Sequence, residues 1–322
     1  MMQQRHSGRV GPLLILISAT AFGAMAVFGK LAYAAGATSE TLVLVRFTIA
    51  ALLLAVLLAV RPGLRVRPEA QDGRPHWPVV LIALSLGAVG YATQASLFFA
   101  ALERISAPLV SLVLYTYPAM VTLAAVLLGR DRLTGGRLAA LAAASIGTLL
   151  VLVGAGGLGF DAVGVALGFG AAVTYTVYIL VADTVLHRMA PVVLTALVMT
   201  GAAGALWARS LLGGGPELGL TAAGWFWIGC IAVVSTVLAV LTFFAGMRRT
   251  GASTASILST FEPVVAAALA AVVLGEVLTP VQLLGALLVL SAAVLVQWRP
   301  RDRAVPAVSD TAAVRQKSRC DA

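Results

Sequence analysis

Residues 252–280 read ASTASILSTFEPVVAAALAAVVLGEVLTP, an apolar run with a serine- and threonine-rich start and, near its middle, Glu262 followed by Pro263. A helix of about 20 mainly apolar residues crosses a bilayer, so the run is long enough to span. Spanning alone asks for neither of those two residues. A carboxylate at mid-membrane costs about 2.5–3.5 kcal/mol on insertion scales, and a proline inside a helix costs about 3 kcal/mol. Pro263 also lacks an N–H, and its ring presses on the carbonyl of Ser259, which frees a polar backbone group at the depth of the acid. The combination builds a polar site in hydrocarbon.

The construction recurs upstream. An offset of 145 places Pro118 on Pro263, Ser111 on Ser256, Tyr115 on Thr260, Tyr117 on Glu262, Asp131 on Glu276 and Leu133-Thr134 on Leu278-Thr279. A looser offset of 153 sets Gly11 on Gly164 and Ala21-Phe22-Gly23 on Thr174-Tyr175-Thr176. The repeat therefore covers both halves of the chain.

Apolar residues make up 60% of the 322 and charged residues only 11%, with a mean hydropathy of +1.00, far from the roughly 25% charge of soluble domains. The class is all-α integral membrane. A net charge of +9 does not imply nucleic acid, because the basic residues lie between the apolar runs instead of clustering on one face. Apolar stretches fall at 12–33, 40–60, 77–100, 106–128, 137–155, 162–185, 191–212, 222–246, 252–274 and 280–297, which predicts ten transmembrane helices. Arg5 and Arg9 ahead of the first stretch and Ala24-Met25-Ala26 within it mimic a cleaved leader. The expectation is retention as a span, since no soluble domain follows.

Alternate breaks hold almost all the arginines, from Arg5 and Arg9 through Arg61, Arg130, Arg188 and Arg248 to the tail, whereas the opposite set holds Arg104 and Arg209. Positively charged loops stay cytoplasmic, so both termini are expected there. Trp77, Trp207, Trp225, Trp227 and Trp298 fall at expected helix ends, the depth at which indoles settle. Five helices per half is an odd number, so the second half enters from the opposite side: two inverted five-helix repeats, the arrangement of secondary transporters. The expected organisation is a cytoplasmic segment 1–11, a first repeat 12–155, a second repeat 162–297 and a disordered basic cytoplasmic tail 298–322.

On a helical wheel Ser253, Ser256, Ser259, Thr260 and Pro263 share one arc of the ninth stretch with Glu262 at its edge. Ser111, Tyr115 and Pro118 repeat this in the fourth. Such arcs face a cavity, or serve as helix-to-helix glue. In the third stretch Gly87, Tyr91, Gln94 and Phe98 share a face; in the sixth, Gly164, Gly168, Ala171, Tyr175 and Tyr178 do. Tyr91, Gln94 and Tyr175 join the candidate cavity, with close packing as the rival reading. Arg46, about two turns into the second stretch, either snorkels or makes a structural bond, or attracts an anion or pairs with Glu262.

Neither a catalytic nor a metal-ligating set is legible. His6, His76 and His187 all lie outside the apolar stretches, no HExxH or Walker motif occurs, and Cys230 and Cys320 offer neither disulfide framework nor ligand spacing. No cofactor is expected. Glu262 has no facing carboxylate for an aspartyl dyad.

TYPAMVTLAAVLLGRDRLT (116–134), TFEPVVAAALAAVVLGEVLT (260–279), LVRFTIAALLL (44–54) and QLLGALLVLSAAVLV (282–296) together resemble EamA-type transporters of the drug/metabolite transporter superfamily over residues 11–297. Arg130-Asp131 stands where Gly275-Glu276 keeps the commoner pair. The resemblance implies a ten-helix bacterial inner-membrane carrier, often an exporter of amino acids, related metabolites or drugs, not an enzyme. Its cavity is expected between helices three, four, eight and nine. The expected partners are a small-molecule substrate and the lipid bilayer, with proton coupling through Glu262 and a homodimer both kept open. The rival is a membrane-embedded enzyme or channel-like scaffold in which Glu262 is catalytic or structural.

Overall fold

The computed structural model describes residues 2–65, 77–102, 104–105, 110, 113–131, 134–154, 161–216, 218–274 and 279–297. Ser111, Glu276 and the tail 298–322 lie outside these residues. Among the described residues every regular element is helical. The first two stretches form α1 (Met2–Ala34) and α2 (Ser39–Val60). In the third, α3 (Trp77–Ser85) widens into a π-helical turn, Leu86–Tyr91, and continues as α4 (Ala92–Leu102). Next come α5 (Tyr117–Leu127), α6 (Gly135–Gly154), α7 (Ala162–Leu186) and α8 (Pro191–Leu212). The eighth stretch repeats the pattern of the third: α9 (Ala222–Ala232), a π-helical turn Val233–Leu238, and α10 (Ala239–Thr250). The ninth divides into α11 (Ala252–Ser259) and α12 (Glu262–Leu274), and α13 (Pro280–Gln297) follows.

Seven segments are long and apolar enough to cross a membrane, among them Ser39–Val60, Ala162–Leu186 and Ala222–Thr250, and three shorter apolar helices are Tyr117–Leu127, Gly135–Val151 and Pro280–Leu295. Several starts are set by side-chain caps, which take up backbone N–H groups that have no partner within the helix. Thr38 accepts from Thr41 N at 3.3 Å, Asp161 from Gly164 N at 2.6 Å and Thr221 from Gly224 N at 3.1 Å.

Apolar surface gives little drive for helices to associate in lipid, so close backbone approach at small residues supplies the packing. A Cβ on Gly147 of α6 would stand 2.7 Å from the Gly285 carbonyl oxygen of α13, and one on Gly285 would stand 2.6 Å from that of Gly147. Gly87 and Gly201 are reciprocal in the same way: a Cβ on the first would come within 2.0 Å of Val198 O, and on the second within 2.1 Å of Leu84 O. α1 lies antiparallel to α9 and α10. Gly11 abuts Arg249 and Thr250, the Ser18 hydroxyl donates to Ala239 O at 2.8 Å, and Phe28 stacks on Trp227 at 5.9 Å. The main core runs between these layers through Phe47, Ile179, Met199, Ile228 and Phe244, all fully buried. Large apolar side chains point outward as well; Val272 is 84% exposed. A hydrocarbon surround accepts such a surface, whereas water penalises it.

The two prolines sit differently from the mid-helix expectation. Pro118 and Pro263 are each the second residue of a new helix, α5 and α12, where a missing N–H leaves no bond unmade. Before them the chain tightens into i→i−3 bonds, Thr116 N to Val113 O and Phe261 N to Leu258 O, both 3.2 Å. It resumes with Met120 N to Thr116 O at 3.3 Å and Val265 N to Phe261 O at 3.2 Å. Both breaks thus follow one plan, two residues before and two after each proline.

Candidate functional site

The break in the ninth stretch brings Glu262 to the first turn of α12, with its side chain half-buried. α1 passes directly over it: Gly23 has no Cβ, and one built there would lie 2.9 Å from both Glu262 O and Val265 Cβ. Across from α12, Tyr115 lies beside the Glu262 carboxylate and Tyr117 beside Ser259. The fourth and ninth stretches therefore meet at their breaks, an acid against a phenol.

Tyr115, Tyr117 and Glu262 help wall a cavity of ≈ 90 Å³. α1 contributes Phe22 and Met25, and α2 contributes Arg46. The third stretch supplies Tyr91, Gln94, Ala95 and Phe98. Leu114, Tyr115 and Tyr117 come from the fourth, Tyr175 from α7 and Glu262 from α12. A chain of rings runs along one wall: Phe47 edge-on to Tyr91 at 5.0 Å, Tyr91 on Tyr178 at 5.4 Å, Tyr178 on Tyr175 at 5.8 Å, Tyr175 edge-on to Tyr117 at 4.8 Å, then Tyr115 at 6.0 Å. Offset and edge-on ring pairs hold the wall stiff. At roughly 30 Å³ per water the cavity holds about three waters.

Of the residues singled out from sequence, Tyr91, Gln94, Tyr115, Tyr175, Glu262 and Arg46 come together on this wall. Ser256, Ser259, Thr260, Pro118 and Pro263 are buried near it without lining it. Their hydroxyls turn back on their own helix: Ser256 donates to Ser253 O at 2.9 Å, Ser259 to Ala255 O at 2.9 Å and Thr260 to Ile257 O at 2.7 Å. Such back-bonding satisfies a hydroxyl locally and removes it from the polar face that a wheel assigns to it. Tyr117 lines the cavity and was legible through the repeat, which places it on Glu262. Phe22 was legible likewise as the counterpart of Tyr175. Met25, Ala95 and Leu114 carry no sequence signal.

The eighth stretch contributes no wall residue, contrary to expectation; α1, α2 and α7 take part instead. Its π-helical turn packs on α1, where Ser235 and Thr236 are buried. The Trp207 indole N–H donates to Thr48 of α2 at 2.9 Å.

Arg46 is 3% exposed, so its side chain turns into the protein and does not snorkel along a lipid-facing surface. Its guanidinium lies 4.6 Å from the Phe47 ring centroid and donates to the Met25 sulfur at 2.9 Å, while Nε has no partner. Among the described residues no carboxylate lies within ion-pair distance of it. An uncompensated buried charge costs about 3–5 kcal/mol.

A larger hollow of ≈ 460 Å³ lies between α2, α4 and α8, lined by Glu40, Ser96 and Arg209 among others. Arg209 pairs there with Glu40 at 2.8 Å, but both side chains are more than half exposed. Water screens such a pair to about 0–1 kcal/mol. Size favours this hollow, whereas the smaller one gathers Arg46, Glu262 and the phenols. Among the described residues no cluster of three or more His, Cys, Asp or Glu side chains is placed to hold a metal ion.

Comparison with known proteins agrees with this architecture. A crystal structure superposes with a TM-score of 0.73 over 88% of this chain and 95% of that one, at 19% identity, a likeness of fold alone. An uncharacterized transporter of Archaeoglobus fulgidus is 28% identical over 216 residues, 67% of this chain and 76% of that protein. The uncharacterized transporter YcbK of Bacillus subtilis is 27% identical over 284 residues, 85% and 88% respectively. The EamA-like transporter family matches residues 9–153 and again residues 162–298. With apolar spans throughout and both halves matched, this multi-pass membrane protein belongs to the EamA-like transporter family.

Proposed function

We propose that the chain is a secondary carrier that exports small metabolites across a bacterial inner membrane by alternating access between two inverted halves. The observation that carries this reading is the cavity itself: tyrosines of the first half and α7 close on Glu262 of the second half. Carriers place substrate at the midplane between repeats, where broken helices expose backbone polarity.

The order of contacts supports inversion. α1 runs antiparallel to α9 and α10, and α12 reverses again after α10, so α1 and α12 share a direction. α5 and α7 share the other: Tyr117 meets Tyr175, Thr176 donates to Met120 Sδ at 3.7 Å and Arg130 donates to Leu180 O at 2.9 Å. α5 and α12 oppose each other through Tyr115 with Glu262 and Tyr117 with Ser259. The same contacts reappear with the halves exchanged, as in Gly11 against Arg249-Thr250 and Gly164 against Arg104-Ile105. On this reading all ten stretches span. At about 1.5 Å per residue the 20 residues of α6 reach about 30 Å, the hydrocarbon thickness. Both termini are cytoplasmic. The arginines of the sparse face, Arg104 and Arg209, are each held by an acid, Asp161 at 4.0 Å and Glu40 at 2.8 Å.

Glu262 couples the cycle to protons. Protonated, it rests cheaply in a closed cavity; ionised, it favours a face open to water. Inside-out vesicles containing the protein, offered labelled metabolites with and without an imposed pH gradient, test the reading. Saturable accumulation with the label chemically unchanged supports it. Chemical conversion of the label points to an enzyme, non-saturating flux to a channel, and either overturns the proposal.

A further inference from the structure

Arg46 carries a charge that the described residues do not balance. Its side chain is buried, Nη1 donates to the Met25 sulfur at 2.9 Å, and Nε is sealed in without a partner. The Phe47 ring lies 4.6 Å from the guanidinium carbon and attracts it only through the quadrupole of its face. Among the described residues the acids Asp161, Asp131 and Glu40 pair with Arg104, Arg137 and Arg209, and none pairs with Arg46. A thioether and a ring face are weak company for a guanidinium, whose five N–H donors suit an anion far better. A buried cation in this position is stabilised by any counter-charge that can reach it.

We infer that the cavity beside Arg46 is a binding site for a small monovalent inorganic anion, chloride being the common one, held as the counter-ion of the guanidinium. Arg46 borders the cavity of ≈ 90 Å³, which has room for about three waters, and a halide takes about the share of one. Its surroundings suit an anion of low charge density. Gln94 brings amide N–H donors and Tyr91 a phenol O–H to the same wall, and both side chains are buried. Aromatic rings present positive edges to an anion, and Phe98, Tyr115 and Tyr175 also border the space. Charge sets the valence. Arg46 supplies one positive charge and Glu262, on the same wall, supplies none, so a dianion would be left with negative charge in excess. The site does not depend on the carrier reading, because a counter-ion binds whether or not a solute is carried.

The test is thermal unfolding of the full-length protein in detergent, read by intrinsic tryptophan fluorescence, as chloride replaces gluconate at constant ionic strength. A ligand that binds only the folded state raises the melting temperature by mass action, so the rise should saturate with chloride. Bromide and nitrate should act likewise, and sulfate should not. Arg46→Gln should weaken the chloride effect about tenfold or more, as expected when a charge-assisted contact is lost. Arg46→Lys, which keeps the charge, should weaken it less. Arg209→Gln removes an exposed arginine of the larger hollow and should leave the chloride effect unchanged. No saturable response, an equal response to sulfate, an effect that survives Arg46→Gln, or one lost with Arg209→Gln overturns the assignment. Crystals of the wild type grown in bromide locate the ion without any variant. Anomalous density beside the Arg46 guanidinium is expected, and its absence there overturns the inference even where Arg46→Gln does not fold. Loss of chloride binding as a finding leaves the vesicle assay untouched, and a failed vesicle assay leaves the counter-ion site untouched.

Discussion

Gly87→Ala probes the closest helix approach found at a described glycine and, through it, the cavity. A methyl there would stand 2.0 Å from Val198 O, 2.8 Å from Val198 C and 2.9 Å from Ala202 N, all backbone atoms that no rotamer change can move. Ordinary contact begins at 3.4 Å, so the π-helical turn and α8 must part by about 1.4 Å at this point. Forcing a methyl into a packed interface costs about 1–3 kcal/mol, and a backbone obstacle at this distance puts the change at the upper end. Alanine returns about 0.5–1 kcal/mol of helix preference, leaving about 2 kcal/mol of net destabilisation. In thermal unfolding followed by tryptophan fluorescence this is a fall of about 3 °C. Gly201→Ala meets Leu84 O at 2.1 Å from the other side of the same crossing and should fall similarly. The double variant should fall by less than the two losses combined, because one parting of the helices serves both methyls. Gly204→Ala, on the same helix with nothing within 4 Å of its added methyl, should melt at or above the wild type. Gly87 also belongs to the turn that ends at Tyr91, whose ring touches Phe47 and Tyr178, so transport should drop along with stability. A Gly87→Ala protein that melts with the wild type would refute the close crossing and the argument built on it.

Glu262→Gln keeps the shape beside Tyr115 but cannot exchange a proton. It should allow substrate exchange while losing accumulation driven by a pH difference, and retained pH-driven accumulation in vesicles refutes proton coupling through this residue. Replacing Pro118 and Pro263 together by alanine supplies two N–H donors at the breaks, so the flanking helices should fuse, with melting temperature held or raised and transport lowered; full transport by the double variant shows that the rings do not maintain the breaks. A reporter fused after Trp298 should be cytoplasmic and one inserted near Gly214 periplasmic, and reporters on the same side refute the inverted topology.

Composition and the spacing of apolar runs were enough to read a helical membrane protein, because hydrocarbon forces every spanning backbone to bond within its own segment. The expected stretch 40–60 became Ser39–Val60, and 191–212 became Pro191–Leu212. The internal repeat was legible too, and the breaks at Pro118 and Pro263 share one hydrogen-bond plan because the two sequences share the motif. Glu262 stood out since an acid in a span is costly enough to be rare. Which side chains surround that acid was decided only by tertiary structure. A helical wheel assumes a constant turn per residue, and the π-helical turns at Leu86–Tyr91 and Val233–Leu238 shift every face beyond them. It also cannot say whether a hydroxyl looks outward or back to its own carbonyls, as Ser256, Ser259 and Thr260 do. The inward turn of Arg46, the phenol of Tyr115 on Glu262 and the absence of the eighth stretch from the wall all depend on which distant helices lie alongside. Those contacts join residues far apart in the chain, and local propensity holds no record of them.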